Sequence, residues 1–141
     1  MTGYLAWRNE RASAQGHTYR FVLPEREHWL NLIRSDGERR FAWGQYFRSN
    51  YAKSCFARAQ PRPEPVLRYA YDETFHGLHD TAGGVSEMCS GWFWEEREER
   101  PVCGGSWVYA EPVRFELKYM AGIETYRRRE FIGFRLAIET D

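Results

Sequence analysis

The sequence carries no excess of charge: lysine plus arginine and aspartate plus glutamate stand at 20 each. No global field therefore draws it to nucleic acid or to an anionic membrane, and any partner must be recognised locally. It also has no apolar run of bilayer length, and Met1 to Arg8 lacks the charged start, apolar stretch and small-residue cleavage site of an export signal. Neither a membrane span nor export is expected. Cysteine is scarce. Cys55, Cys89 and Cys103 are an odd number without metal-ligand spacing, which fits a reducing, cytoplasmic compartment better than a disulfide framework and leaves a single bridge, Cys89 to Cys103, open. Phosphate loops, zinc spacings and nucleophile elbows are missing too, since Gly104-Gly105-Ser106 lacks the lysine of the first and the spacing of the last. What is plentiful is aromatic. Phe, Trp and Tyr make up 17% of the 141 residues, beyond what a minimal core needs, and Trp and Tyr serve binding surfaces as well as interiors.

The length fits one domain with one core, residues 1–141. Tyr4 to Glu10 reads as the end of an amphipathic helix, stopped by the polar stretch Ala12 to Gly16. Tyr19 to Leu23 is strand-like, and Pro24 opens a helix over Glu25 to Arg34 with Trp29, Leu30, Leu32 and Ile33 on one side, ended by Gly37. From Phe41 to Leu78 the pattern is aperiodic and rich in aromatic residues, held extended at Pro61, Pro63 and Pro65. It reads as a long structured loop, of a length that is usually functional. Val85 to Trp94 and Gly105 to Tyr109 read as strands flanking a solvated hairpin tip, Glu95 to Arg100, and Phe131 to Ile138 alternates as a closing strand with a bulge at Gly133. There is no internal repeat.

Four separated segments carry a family resemblance. Leu23-Pro24-Glu25-Arg26-Glu27-His28-Trp29 resembles the LPTEAEW of the formylglycine-generating-enzyme (sulfatase-modifying-factor) family, and Ala42-Trp43-Gly44 follows where that family has PWG. Gly77 to Trp92 resembles GLYDMAGNVWEWCSDW; Gly104-Gly105-Ser106-Trp107 is identical to the GGSW signature; Ile132-Gly133-Phe134-Arg135-Leu136 matches the closing IGFRL. The resemblance implies an α+β domain of the C-type lectin-like fold in that family's form, with little regular secondary structure and without the family's N-terminal portion. These signposts mark architecture. Trp29 and Trp107 are expected to pack in the core, and Arg135 to be a paired, half-buried structural arginine.

Chemistry is read from the departures. Family enzymes bind copper through two cysteines shortly after GGS, thiolate being a soft ligand suited to Cu(I); counted without gaps, those positions are Tyr109 and Arg114 here. The family's Asn and first and second Trp in GNVWEW are Gly84, Ser86 and Met88. Calcium is implied by the resemblance, yet no well-placed Asp follows Asn50-Tyr51 to supply oxygen ligands. His76 and His79, with Asp80, caricature a two-histidine, one-carboxylate iron centre, but His79 stands where the resembled family has the Tyr of GLYD, which suggests structural replacement, and Arg127 to Arg129 reads as a solvated loop. No cofactor is expected, and formylglycine-generating activity is not expected. The preferred reading is a binding module for a small ligand or a protein, with Tyr109, Glu111, Arg114, Glu116 and Lys118 as contacts. The alternative is a diverged oxidase, or a non-haem iron sulfoxide-synthase-like enzyme or subunit of one. The variable proteins of diversity-generating retroelements also use this fold, but Glu111, Glu116, Lys118 and Met120 are residues their template-directed codons do not readily yield. Because the resemblance lacks the family's N-terminal portion, the strand around Ile132 to Ile138 is expected to have an unpaired edge, covered by a second copy, a partner chain or a further section of a longer protein.

Overall fold

Two α-helices and six short strands, joined by long irregular segments, make up residues 2–33, 39–57, 59–60 and 62–140, which the computed structural model describes. Helix α1 (Thr2–Ala14) ends within the polar stretch Ala12 to Gly16 expected to stop it. Strand β1 (Arg20–Val22) and helix α2 (Arg26–Ile33) follow, with Pro24 just ahead of α2, where its fixed φ and missing N–H suit a helix start. Trp29 and Ile33, four apart and so on one face, are buried. Leu32, expected beside them, is exposed instead: one residue's step of about 100° swings it away from Ile33. The expected end of this helix at Arg34 and Gly37 lies outside the described residues.

Two sheets follow from the rest. Strands β4 (Met120–Glu124), β3 (Glu99–Cys103), β2 (Ser86–Met88) and β5 (Ile132–Gly133) lie side by side in that order, antiparallel except for the parallel β2–β5 pair. Strand β6 (Ala137–Glu139) instead joins β1 in a two-stranded antiparallel ribbon, with Phe21 opposite Ile138. Three expectations are corrected here. The strand after the charged tip is β3, and Gly105 to Tyr109 is irregular. Pro101 hides β3 from a sequence reading, because proline in a central strand normally argues against one. Its carbonyl accepts the Cys89 N–H at 2.9 Å, but it has no N–H to return, and β2 stops at Met88 rather than running to Trp94. Finally, the single closing strand is two, since residues 134–136 leave the larger sheet for the ribbon. The tip itself is exposed as expected, with Arg97 3.8 Å from the Trp94 ring and Arg100 4.0 Å from the Trp92 ring.

The core gathers Trp29, Ile33, Phe41, Cys89, Cys103 and Phe115 with small residues between them, and Met88, Val102 and Ile123 form a second cluster. Three polar devices hold the irregular segments to it. Glu87, 6% exposed, accepts two 2.6 Å bonds from Arg135 and a 2.7 Å bond from the Trp29 indole, while Arg135 also reaches the His79 carbonyl. Asp72, fully buried, accepts the backbone N–H groups of Thr81, Ala82 and Gly83. Lys53, likewise buried, pairs with Asp80 at 3.0 Å. The long loop is therefore ordered by hydrogen bonds rather than by periodic structure.

Breaking a buried pair from one side leaves an uncompensated charge. Glu87→Gln is expected to lower unfolding stability by about 3–5 kcal/mol, read by urea denaturation, with the Glu87→Gln/Arg135→Met double variant losing less than the two single variants summed; additivity would sink this account. Burial pushes the Asp72 carboxyl up from 3.8 to about 6, outweighing the N–H bonds that favour its charge. A raised carboxyl holds its proton in the folded state over a range where the unfolded chain has released it. Its contribution is thus complete below about pH 4 and lost as pH rises to about 6. The stability difference between wild type and Asp72→Asn should shrink across that window, and a difference that grows there would contradict the assignment.

Candidate functional site

The GGSW signature builds the site's floor. Gly104 has φ +75°, and a Cβ on Gly105 would lie 2.5 Å from both the Ala82 carbonyl and the Phe115 ring, so only glycines let this backbone press against its neighbours. Trp107 is buried beyond them. The Tyr109 N–H donates to the Ser106 carbonyl, and the Tyr109 carbonyl accepts the Cys55 N–H at 3.0 Å, tying this stretch to the long loop. A 3-10 turn over Pro112–Phe115 then buries Phe115 and leaves its neighbour Arg114 half-buried at the surface.

Arg114 is the centre of what results. Its guanidinium lies 4.4 Å from the centroid of the Tyr109 ring and 5.4 Å from that of Tyr119, a double cation–π contact. Nη1 donates to the Tyr119 hydroxyl, and Nε stands 3.8 Å from the Glu111 carboxylate. Phe131 meets the Tyr109 ring edge-on at 5.8 Å. Burial raises the Tyr109 phenol, with the Arg114 charge and a hydrogen bond from Ser86 pulling the other way. Hydrogen bonds from its own N–H and that of Ala110 lower the Glu111 carboxyl. The result is a fixed guanidinium on an aromatic wall, with a third of the arginine side chain open to solvent.

The structure brings together three of the five residues singled out from sequence, Tyr109, Glu111 and Arg114. Glu116 turns to Arg40, 2.6 Å away, and Lys118 is exposed. Sequence reasoning missed Ser86, Tyr119 and Phe131 as members. Ser86 left a signal: it stands where the family resemblance has a tryptophan, beside a position where tyrosine stands for cysteine, so the small and large residues have changed places. Tyr119 and Phe131 left none. His76 is exposed against Phe75, His79 faces Glu73 at 3.6 Å, and Asp80 is held by Lys53, so the three do not converge.

The copper implied by the family resemblance does not fit these residues. The two positions hold a phenol and a guanidinium stacked on each other, and the guanidinium's positive charge opposes a cation at that point. The buried thiols lie elsewhere. Cys89 and Cys103 meet at 3.9 Å between β2 and β3. Cys89 donates to Cys103 there, which raises the first thiol and lowers the second.

An irregular α+β domain of the C-type lectin-like kind, with GGSW as the floor of a surface site, defines the class. The family is shown by the whole chain: residues 2–140 match the sulfatase-modifying factor enzyme 1-like domain, and the chain belongs to that family. Among solved structures it is similar to Treponema denticola variable protein 1, with 21% identity and a TM-score of 0.73 over 83% of this chain and 47% of that one. It is similar also to CarF, with 20% identity and a TM-score of 0.67 over 86% of this chain and 48% of that one. PvdO from Pseudomonas aeruginosa shares 18% identity and a TM-score of 0.76 over 97% of this chain and 57% of that one. These likenesses show the fold, and the chain spans about half the length of the proteins it matches. No curated protein matches it in sequence. No described helix is long and apolar enough to cross a membrane.

Removing the neighbouring positive charge must raise a phenol that it was holding down. Arg114→Ala is therefore expected to move the Tyr109 titration, already raised by burial, further upward, as followed by NMR with labelled tyrosine; an unchanged or lower titration would show that the two side chains are not coupled.

Proposed function

We propose that the chain is a ligand-binding module on a sulfatase-modifying-factor scaffold, taking an anionic ligand with a flat apolar body at Arg114 and Tyr109. The observation that carries this reading is the stacked guanidinium. Its plane is held by Tyr109, Tyr119 and Glu111, so its remaining N–H groups are oriented before a ligand arrives. Preorganised forks suit carboxylates and other planar anions, at a smaller entropic cost than a free arginine. Tyr109 and Phe131 supply an aromatic wall for the rest of the ligand. Glu111 lies within the cluster, whereas Glu116 is engaged by Arg40 and Lys118 stands exposed further along the stretch. No cofactor takes part in this reading, which places the module in a reducing compartment and has its closing strand covered by another chain.

Titrating the protein calorimetrically with benzoate, phosphate and sulfate is expected to show saturable binding strongest for benzoate. Arg114→Lys should weaken it by about tenfold or more, since a lysine has no fork. Binding that is indifferent to this change would refute the assignment. Family membership favours a second reading, a diverged oxidase or a subunit of an iron sulfoxide-synthase-like enzyme. Stoichiometric iron or copper in purified protein would favour that enzyme, and benzoate binding without metal favours the module.

A further inference from the structure

Cys89 and Cys103 are among the most deeply buried side chains of the core, at 0% and 1% exposure, and they face each other there. In the β2–β3 ladder Glu87 stands opposite Cys103, and the period of two along a strand puts Cys89 on the same face as Glu87. The cysteines are therefore diagonal neighbours on one face, and their sulfurs meet at 3.9 Å. A disulfide needs about 2.05 Å, an approach that rotation about the two Cα–Cβ bonds supplies. Both residues also stand where the ladder stops. Strand β2 ends at Met88, β3 ends at Cys103 itself, and the Cys89 N–H makes the last bond, to the Pro101 carbonyl.

The two thiols are not equivalent. Cys89 donates its S–H to Cys103, which favours the thiolate at Cys103 and disfavours it at Cys89. The Arg26 charge favours the anion at both, and Arg26 Nε is buried without a hydrogen-bond partner among the described residues. Glu87 opposes the anion from the same face, but its carboxylate is already held by Arg135 and the Trp29 indole. A thiolate with an S–H donor beside it has the parts of a nucleophile and its resolving partner. We propose that Cys89 and Cys103 are a peroxide-responsive dithiol, in which Cys103 attacks hydrogen peroxide and Cys89 resolves the product to an intrachain disulfide. The inference goes beyond the anion-binding reading and does not rest on it.

In the first step a Cys103 S–O bond forms as the peroxide O–O bond breaks, sulfur giving up two electrons. The departing hydroxide takes up the proton that Cys103 had released and leaves as water. In the second the Cys89 sulfur attacks the sulfenic acid; the S–S bond forms, the S–O bond breaks, and hydroxide leaves with the Cys89 proton as a second water. Two thiols and one peroxide thus give one disulfide and two waters. Burial selects an oxidant little larger than water, which local opening at the two strand ends admits. The bridge closes a covalent loop around the tip that carries Trp92, Trp94 and Arg97, and so restricts the unfolded chain more than the folded one.

The test exposes the whole reduced chain, freed of reductant, to hydrogen peroxide. Non-reducing peptide mapping should find the Cys89 and Cys103 peptides joined with the loss of two hydrogens, and dithiothreitol should separate them. The oxidised chain should unfold at a higher urea concentration than the reduced one. In Cys89→Ala the resolving thiol is gone, so dimedone, which traps sulfenic acids, should label Cys103. In Cys103→Ala, oxidation of Cys89 should be slower by about tenfold or more. Arg114→Ala should form the bridge like the wild type, so failure of the anion site and failure of the thiol pair are read separately. Wild-type protein decides the matter even if a variant fails to fold. Thiols at 89 and 103 that both stay free after peroxide, that take up oxygen without joining, or that join only when urea has unfolded the chain would each overturn the proposal.

Discussion

The bidentate pair of Glu87 and Arg135 holds the structure's separate parts in one arrangement. Glu87 belongs to β2; through it the indole of Trp29 fixes α2, and through Arg135 it fixes the closing segment and the His79 carbonyl of the long loop. The arginine is two residues beyond β5 and two before β6, so turning its side chain inward is what carries the chain from the larger sheet to the ribbon. Burying such a pair costs desolvation of both ions. The cost is offset because the three bonds that Glu87 accepts are short and charge-assisted, and the arrangement they specify places Phe131 on one side and Ile138 on the other.

The surface site follows from a different constraint, close backbone approach. Gly104 and Gly105 admit the backbone of Thr81 and Ala82 and the ring of Phe115, and the chain that leaves them has to turn through Tyr109 and Pro112 before Phe115 can be buried. Arg114 then finds aromatic faces rather than water on two sides. A guanidinium in that setting has geometry for anions and none for a soft metal, whatever chemistry the same positions support in other members of the family. Fold alone does not settle activity: the scaffold is common to proteins 18–21% identical to this chain, and the chemistry of the site has to be read from its own groups.

Much of the architecture was legible in the sequence because it is carried by residue types with few substitutes. The glycines of GGSW, the buried Trp29 and Trp107, a paired Arg135 and an aperiodic stretch after Phe41 all lie where the motifs put them. The site was half legible. Tyr109, Glu111 and Arg114 stood out by position, but Glu116 was drawn off by Arg40, 76 residues earlier in the chain, and Ser86 and Phe131 joined from elsewhere.

Alone, the sequence determined the family, the α+β class and the presence of Tyr109 and Arg114 rather than cysteines after GGSW, since each rests on which side chains are present and in what order. Tertiary structure decided where the strands begin and end. Pro101 sits in a central strand because β2 and β4 flank it on both sides, and the closing segment divides because Glu87 pulls Arg135 inward from 48 positions away. It decided too what flanks the ribbon: Asn9 of α1 bonds both backbone groups of Phe21 in β1 across 12 residues of sequence. Contacts of that range depend on the folded path of the chain, which local periodicity does not encode.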